Sequence, residues 1–289
     1  MVAAGDQTHE VEYTPNCHIG FGWGIWRQMF RELTRSRELI WRLFLRDLSG
    51  RYRQSIFGYF WAVLPAIVMV VTFTYLNHRK ILPEHFSQTD LPYPAYVLLG
   101  MTVWQLFSTG LVRTTHSLAN ARAIILKINF SRESLVIAAF GESVFNFLIR
   151  LVLVALVFIW LRDDIKLCWT VVCVPLVLIG LCFLSIGFGF FLSIANAVFR
   201  DIGNGLALVL TFAMFLSPVV YPAPTEGPLV LINYLNPVSP YIIAVQDLVS
   251  KGHLSQPVPL IGAYIFSVVI FLLGWRLFHL AISRIAERL

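Results

Sequence analysis

The hydrophobic pattern of the chain consists of six long apolar stretches separated by shorter polar segments. A membrane-spanning helix needs about 20 mostly apolar residues. The stretches that reach this length are 57–77, 95–115, 136–160, 168–195, 204–222 and 257–279. A helix satisfies its own backbone hydrogen bonds in lipid, and the stretches lack the alternation of a membrane β-barrel. The pattern therefore predicts an all-α integral membrane protein with six transmembrane helices.

Composition supports a surface that faces lipid. Of the 289 residues, 57% are hydrophobic and 13% are charged, whereas about 25% of a soluble domain is charged. The composition excludes a water-soluble globule, and nucleic acid is not an expected partner. The four cysteines lack the spacing of a metal site or a disulfide framework, so we expect no bound metal. The charged residues inside the six stretches are Arg113, Glu142, Arg150 and Arg276.

Lys and Arg are distributed unevenly between the two sides of the predicted spans. With six spans, both termini share one side with segments 116–135 and 196–203. That side carries 14 Lys and Arg residues and the other side carries 5. Because basic loops remain in the cytoplasm, we expect both termini to be cytoplasmic.

The segment before the first span has the pattern of an amphipathic helix. At 100° per residue, apolar side chains between 40 and 52 fall on one arc, and arginines including Arg42 and Arg46 fall opposite. Such a helix lies in the membrane interface. It is either a topological anchor or a helix beside the entrance for an anionic, lipid-linked substrate. Under the second interpretation the candidates for the entrance and for phosphate contact are Arg46, Arg51, Tyr52 and Arg53.

These patterns divide the chain into four parts. We expect a cytoplasmic N-terminal segment (1–34), an amphipathic interface helix (35–56), a six-span transmembrane domain (57–280) and a cytoplasmic tail (281–289). The external segment 223–256 is rich in proline and glycine and contains two short apolar pieces, Leu229–Leu235 and Tyr241–Val249. Each is too short to span, so we expect re-entrant or interfacial helices before the last span.

Short motifs occur in a characteristic order between residues 36 and 280. They are Arg46-Asp47-Leu48, Arg51-Tyr52-Arg53, Trp61-Ala62-x-Leu64, 120–133, Phe199-Arg200-Asp201-Ile202, 217–222 and 235–240. Together they resemble type-two ATP-binding cassette exporter permeases, in particular those that export O-antigen, capsule-like and teichoic acid polymers. Two positions depart from that pattern. Ser131 stands where the family usually has proline, and Pro65 comes about one residue early.

The resemblance implies that ATP is hydrolysed by another polypeptide. A phosphate-binding loop needs Gly-Lys, and no lysine of this chain follows a glycine. The resemblance implies a homodimer of this chain with two nucleotide-binding subunits, which would bind ATP and Mg, and we expect no cofactor in this chain. The expected location is the bacterial inner membrane, with many passes, and no catalytic residues are expected.

The cytoplasmic segment 116–135 is the expected contact for the ATPase. It combines a hydrophobic side chain with charges, which suits a docking element, although an ordinary basic loop would look similar. The candidate coupling residues are Arg122, Lys127, Phe130, Arg132 and Glu133.

Aromatic residues open the first span and lie within the second. A glycan channel would use aromatic rings for stacking on sugars, whereas rings also populate the membrane interface. The channel candidates are Phe57, Tyr59, Phe60, Trp61, Trp104 and Phe107.

Two further features lie inside the spans. Ser185, Gly189, Ser193 and Ala197 recur at every fourth position, a spacing that lets another helix approach closely, and packing within the chain is favoured over a dimer contact. Glu142 and Arg150 share one helix face of the third span. Because they are ionisable residues at membrane depth, they are functional candidates or packing residues.

The sequence thus predicts the permease subunit of an ATP-driven exporter of a lipid-linked, O-antigen-like polysaccharide. A small-molecule or drug exporter with the same fold is the first alternative. An integral membrane transferase acting on lipid-linked sugars is the second, although the sequence shows no cluster of carboxylates or histidines at one membrane face.

Overall fold

The computed structural model describes residues 23–52, 60–81, 89, 91–121, 130–162, 165, 168–223 and 228–285. These residues form ten α-helices and one short 3-10 helix, Trp169–Cys173, and contain no β-strand. The predicted all-α class is confirmed for this part of the chain. In chain order the helices are α1 Trp23–Arg35, α2 Arg37–Tyr52, α3 Phe60–His78, α4 Tyr93–Asn120, α5 Glu133–Trp160, α6 Val174–Val198, α7 Asp201–Phe215, α8 Pro228–Leu235, α9 Ser239–Ser250 and α10 Pro257–Ile285.

Four helical segments are long and apolar enough to cross a membrane. They are Tyr93–Asn120, Glu133–Trp160, Trp169–Val198 and Pro257–Ala281, and they correspond to the second, third, fourth and sixth predicted stretches. A helix of 28 residues is about 42 Å long, which exceeds a hydrocarbon core of about 30 Å. By length and composition the chain is a multi-pass membrane protein.

The first and fifth predicted stretches form shorter apolar helices, Val63–His78 within α3 and Asp201–Phe215. The fifth stretch was expected to continue to residue 222. Instead α7 ends at Phe215 and the chain turns through 216–221. Pro218 has no amide hydrogen for a helical hydrogen bond, which favours a turn at this point.

The turn after α7 is held against the first residues of α4. The hydroxyl of Tyr93 donates to the carbonyl oxygen of Val220 at 2.9 Å, and that of Tyr96 donates to the carbonyl of Tyr221 at 3.1 Å. These bonds satisfy carbonyl groups that a helix would otherwise pair internally. The shortening of the fifth stretch is therefore a consequence of tertiary contacts as well as of proline.

Helix α4 is the centre of the bundle. It packs against α3, α5 and α6, and most of its side chains are buried. The other three long helices bury about a third of their apolar windows. Their outward side chains include Leu156, Ile159 and Ile265, all more than half exposed. Burial of α4 and exposure of these apolar faces fit a bundle whose outer surface contacts lipid.

Two members of the small-residue stripe of α6, Ser185 and Gly189, face α4. The Ser185 hydroxyl donates to the carbonyl of Phe107 at 3.2 Å, and a side chain on Gly189 would collide with Thr114. The prediction that this stripe packs within the chain is confirmed. On the other side of α6, a Cβ on Gly274 of α10 would lie 2.5 Å from the carbonyl oxygen of Gly187, so α6 and α10 touch through their backbones.

The segment before the last span forms two short helices, as predicted. In α9 almost every side chain is buried, and Tyr241 lies 2.7 Å from the hydroxyl of Ser267 in α10. Burial raises the pKa of Tyr241 to about 12. The chain leaves α9 through Gly252, whose φ of +77° suits glycine. Helix α8 exposes Leu231 and Leu235, and the placement of α8 and α9 relative to a bilayer stays a prediction.

Candidate functional site at the basal end

One end of the bundle collects the segments that the sequence marks as functional. We call it the basal end; it comprises α1, α2, residues 113–121, residues 130–142, the 196–203 turn and the last turns of α10. Asn196 ties three helices together there. Its amide oxygen accepts from the backbone N–H of Gly203 at 2.9 Å, and its amide nitrogen donates to the carbonyl of Thr115 at 3.3 Å. The ends of α4, α6 and α7 are therefore fixed to one another.

Helix α1 was not anticipated by the sequence interpretation, which left 1–34 without an element. Its inner face covers an apolar cluster at the basal end. Met29 is 2% exposed, and Trp26 packs edge-on against Trp275 of α10 with ring centroids 5.9 Å apart. The buried members of the cluster come from α1, α4, α5, α6 and α10, and are Met29, Leu118, Val136, Phe190, Trp275 and Phe278.

Helix α2 occupies the predicted interface segment, but its apolar side chains serve two surfaces. Leu43 is buried and Phe44 packs beside it against the first turns of α5. Trp41 and Leu45 are 58% and 41% exposed. The predicted single apolar arc is thus divided between packing against α5 and an outward face, because the bundle covers only one side of the helix.

Two arginines of α2 form ion pairs with carboxylates of the same helix. Arg42 forms an ion pair with Glu38 at 2.6 Å, and Arg46 forms one with Asp47 at 2.6 Å. Arg51 and Tyr52 end α2, but their side chains lie outside the described residues, as does all of Arg53. Among the predicted entrance residues, Arg46 is the one whose side chain the structure describes.

A cavity of about 410 Å³ separates α2 from α4 and α5. Arg46 and Asp47 line it from α2. Farther along the cavity wall are Ser117 and Asn120 of α4, and the remaining wall includes small apolar residues such as Ala138. The cavity is therefore polar along much of its lining although it lies beside a membrane-spanning bundle.

An ion pair between two spanning helices lines the same cavity. The guanidinium Nη1 of Arg113 lies 3.1 Å from the carboxylate Oε2 of Glu142. The Glu142 side chain is 4% exposed and that of Arg113 is 33% exposed. Sequence analysis singled out Glu142 with Arg150 on the same helix. Arg150 is buried farther along α5, and the pairing of Glu142 with Arg113 depends on the packing of α4 against α5.

The channel candidates occupy two different environments. Phe60 and Trp61 at the start of α3 are 48% and 57% exposed, whereas Trp104 and Phe107 belong to the buried core of the described chain. The rings of Trp104 and Phe107 lie 5.8 Å apart. Phe57 and Tyr59 lie outside the described residues. Of the four rings that the structure describes, two are exposed and two are buried, so these four do not share one surface.

The predicted coupling residues lie at the start of α5, where they are described. Phe130 packs with Leu43 of α2 and Leu135 of α5, and Arg132 precedes α5 directly. Glu133, at the first turn of α5, is 5% exposed, and its Oε1 accepts from Nδ1 of His279 in α10 at 2.6 Å. Arg122 and Lys127 lie outside the described residues.

Ser131 connects this segment to the junction of α1 and α2. Its hydroxyl donates to the hydroxyl of Ser36 at 2.9 Å and lies 2.7 Å from that of Ser134. Ser36 is the single residue between the two N-terminal helices. A proline at 131, as in the family pattern, could not form these bonds. Ser131, which replaces the proline of the family pattern, therefore forms a specific contact in this chain.

Sequence reasoning missed His279, Ser36 and Arg113 as members of the site. His279 stands at the predicted end of the last span and Ser36 at the edge of the predicted helix, so neither position carries a local signal. Arg113 was visible as a charge inside a span, which is a sufficient reason to search for a partner. Within the described ranges, no three His, Cys, Asp or Glu residues are close enough to hold a metal ion.

The apolar spanning helices, with α1 and α2 packed at their basal end, define a multi-pass membrane protein. The chain belongs to the ABC-2 type transporter family, whose sequence profile matches residues 38–249. In this family ATP hydrolysis belongs to a separate subunit.

Three individual relatives with named transport roles align with most of this chain. The chain is 26% identical over 267 residues to the "O-antigen export system permease protein RfbA" of Myxococcus xanthus, which covers 90% of this chain and 98% of the relative. It is 25% identical over 248 residues to the protein of the same name from Klebsiella pneumoniae, covering 84% and 91%. The "Polysialic acid transport protein KpsM" of Escherichia coli is 22% identical over 249 residues, covering 82% and 91%.

Proposed function

We propose that this chain is the transmembrane permease subunit of an ATP-driven exporter that moves a lipid-linked, O-antigen-like polysaccharide from the cytoplasm to the outer face of the bacterial inner membrane. The observation that carries the proposal is its similarity, over nearly its full length, to permeases named for O-antigen export. The similarity to a polysialic acid transport protein supports the same substrate class.

The proposed assembly is a homodimer of this chain with two nucleotide-binding subunits that bind ATP and Mg. In that assembly the chain has six spans, with α3 and α7 as the first and fifth, and the basal end faces the cytoplasm. The excess of Lys and Arg at that end supports this orientation.

The proposed entrance for the substrate lies beside α2. Trp41 and Leu45 present apolar surface for contact with lipid tails, and Arg46 of the same helix lines the cavity toward α4 and α5. Arginine suits a phosphate because its planar guanidinium donates two parallel hydrogen bonds. Arg51, Tyr52 and Arg53 extend this proposed entrance.

The proposed coupling element is the segment 116–135, with Phe130, Arg132 and Glu133 as its described candidates and Arg122 and Lys127 as the others. Movement of this segment by the ATPase would be passed to α10 through Glu133 and His279, and to α2 through Ser131 and Ser36. These contacts support a role for the segment in passing on the movement of the ATPase as well as in docking it.

The test is transport by the reconstituted complex. The chain and its ATPase would be placed in inverted vesicles with a radiolabelled lipid-linked glycan, and ATP-dependent protection of the glycan from an added glycosidase would be measured. Protection that requires both subunits supports the proposal. ATP-dependent accumulation of small dyes without glycan protection would instead identify a small-molecule exporter.

A further inference from the structure

Burial of the Arg113–Glu142 ion pair in a spanning bundle costs free energy, and this cost is a reason to look for a function of the pair. Removing two charges from water carries a desolvation cost that their attraction seldom exceeds, and apolar residues of similar size pack at least as well. Charges at membrane depth in functional proteins face a cavity or a pathway. Both members of this pair line the cavity between α2, α4 and α5.

The geometry of the pair directs the arginine toward the cavity. Glu142 is almost completely buried and holds Nη1 of Arg113, while a third of the arginine side chain remains exposed. A guanidinium has five N–H donors in a planar fork, so one ion-pair contact leaves donor capacity for a ligand. Glu142 thus acts as the group that positions Arg113.

The rest of the lining supplies both donors and acceptors. Arg46, which is paired with Asp47, adds a second guanidinium, and Asp47, Ser117 and Asn120 add carboxylate, hydroxyl and amide groups. A simple anion would use the arginines alone. Carboxylates and amides also accept hydrogen bonds from hydroxyl groups, so the complete set matches a phosphate ester attached to a group with several hydroxyls. The volume of about 410 Å³ falls in the range of small-molecule sites, about 300–1,000 Å³.

We propose that this cavity binds the sugar-phosphate headgroup of the lipid-linked substrate, with Arg113 on the phosphate and the carboxylate, amide and hydroxyl side chains on the sugar. The inference rests on the proposed function, and it assigns a role to Arg113 and Glu142. The lipid tail would remain on the outward face of α2, beside Trp41 and Leu45, while the headgroup enters between the helices.

The experiment measures binding to the complete permease–ATPase complex in nanodiscs of zwitterionic phospholipid. The probe is a short prenyl pyrophosphate that carries one hexosamine. Two comparison ligands separate the sources of the same phosphate chemistry. One is the prenyl pyrophosphate without sugar, and the other is phosphatidylglycerol, a bilayer lipid with headgroup hydroxyls.

Two variants test the site by different means. Arg113→Lys keeps the charge but removes the planar fork, and should weaken binding of the sugar probe at least tenfold. Gly50→Phe should have a similar effect by filling the cavity, because Gly50 lines it and a Cβ there meets no atom within 4 Å. Arg42→Gln, on the same helix but outside the cavity lining, is the matched control and should stay within twofold of the wild type.

Three results would overturn the inference. They are wild-type affinity in both Arg113→Lys and Gly50→Phe, equal binding of the probes with and without sugar, and displacement of the sugar probe by phosphatidylglycerol at matching concentration. A complex that transports glycan while these variants bind normally refutes this inference alone. A complex that binds the probe through Arg113 but never transports glycan refutes the proposed function alone.

Discussion

Glu133 and His279 form the contact through which the start of α5 meets the end of α10. Both side chains are nearly buried, and the contact length of 2.6 Å is that of a strong hydrogen bond. A carboxylate deprived of its donor in such a place retains its desolvation cost. The pair therefore makes the position of α5 depend on that of α10.

We expect Glu133→Gln and His279→Gln each to lower transport per ATP hydrolysed, because each removes the connection between the coupling segment and the last span. The measurement is glycan transport and ATP hydrolysis in the same vesicles. The double variant should be no worse than the stronger single one, since both changes break one contact. Glu38→Gln, which removes an exposed ion pair on α2, is the control. Additive losses in the double variant would show that the two residues act separately.

Ser131 provides a second test at a single position. Ser131→Ala removes the hydroxyl that joins Ser36 and Ser134, and should destabilise the permease by about 1 kcal/mol. The measurement is thermal unfolding in detergent. Ser36→Ala should cost a similar amount, and the two together less than their sum. A fully additive pair would contradict a direct hydroxyl contact.

The sequence identified Glu133 as a candidate coupling residue and Glu142 as a charge within a span, but their partners could not be inferred. His279 and Arg113 come from other helices, and only the packing of α5 against α10 and α4 brings them close. Local periodicity defines the face on which a side chain lies, and it contains no information about the helix that covers this face.

Helix boundaries show a similar division between local and tertiary causes. The four long helices follow from uninterrupted apolar composition, which dictates a spanning helix wherever it occurs. The end of α7 at Phe215 depends on Pro218, which is visible in the sequence, and on the hydroxyl groups of Tyr93 and Tyr96, which are brought there by folding.

Helix α1 was missed for a different reason. Its apolar residues Ile25, Trp26, Met29 and Leu33 have helical spacing, but the helix is 13 residues long and could be stable only against a larger surface. That surface consists of side chains from four distant helices. The sequence shows the helical spacing of these apolar residues, but only the fold shows the surface against which they pack.

The close crossing of α6 and α10 gives a prediction within one helix. Gly274→Ala should destabilise the protein by about 1–3 kcal/mol, because the added methyl group collides with the carbonyl of Gly187. Gly262→Ala, in the same helix with nothing within 4 Å of the added Cβ, should be neutral or stabilising by up to about 1 kcal/mol. Thermal unfolding of both variants in detergent makes the comparison. Equal melting temperatures would argue against the close crossing.

The orientation of the whole molecule can be tested by labelling in spheroplasts. In a variant without the native cysteines, we expect His253→Cys, after α9, to react with a membrane-impermeant maleimide from outside. Gln28→Cys in α1 should react only after permeabilisation, because the basal end carries the excess of basic residues. Both side chains are exposed. Labelling in the reverse order would contradict the proposed cytoplasmic placement of the basal end.

The contact between Trp26 and Trp275 also has a consequence for the order in which the helices dock during synthesis. Helix α1 leaves the ribosome first among the described helices and α10 leaves last, yet each completes the same apolar cluster. At about 5–20 residues per second, on the order of ten seconds or more separates the synthesis of the two rings. During that interval the apolar face of α1 has no permanent site in the chain, and the membrane surface is its natural temporary partner. Final docking of α1 therefore takes place only after every spanning helix of the bundle has been made and inserted.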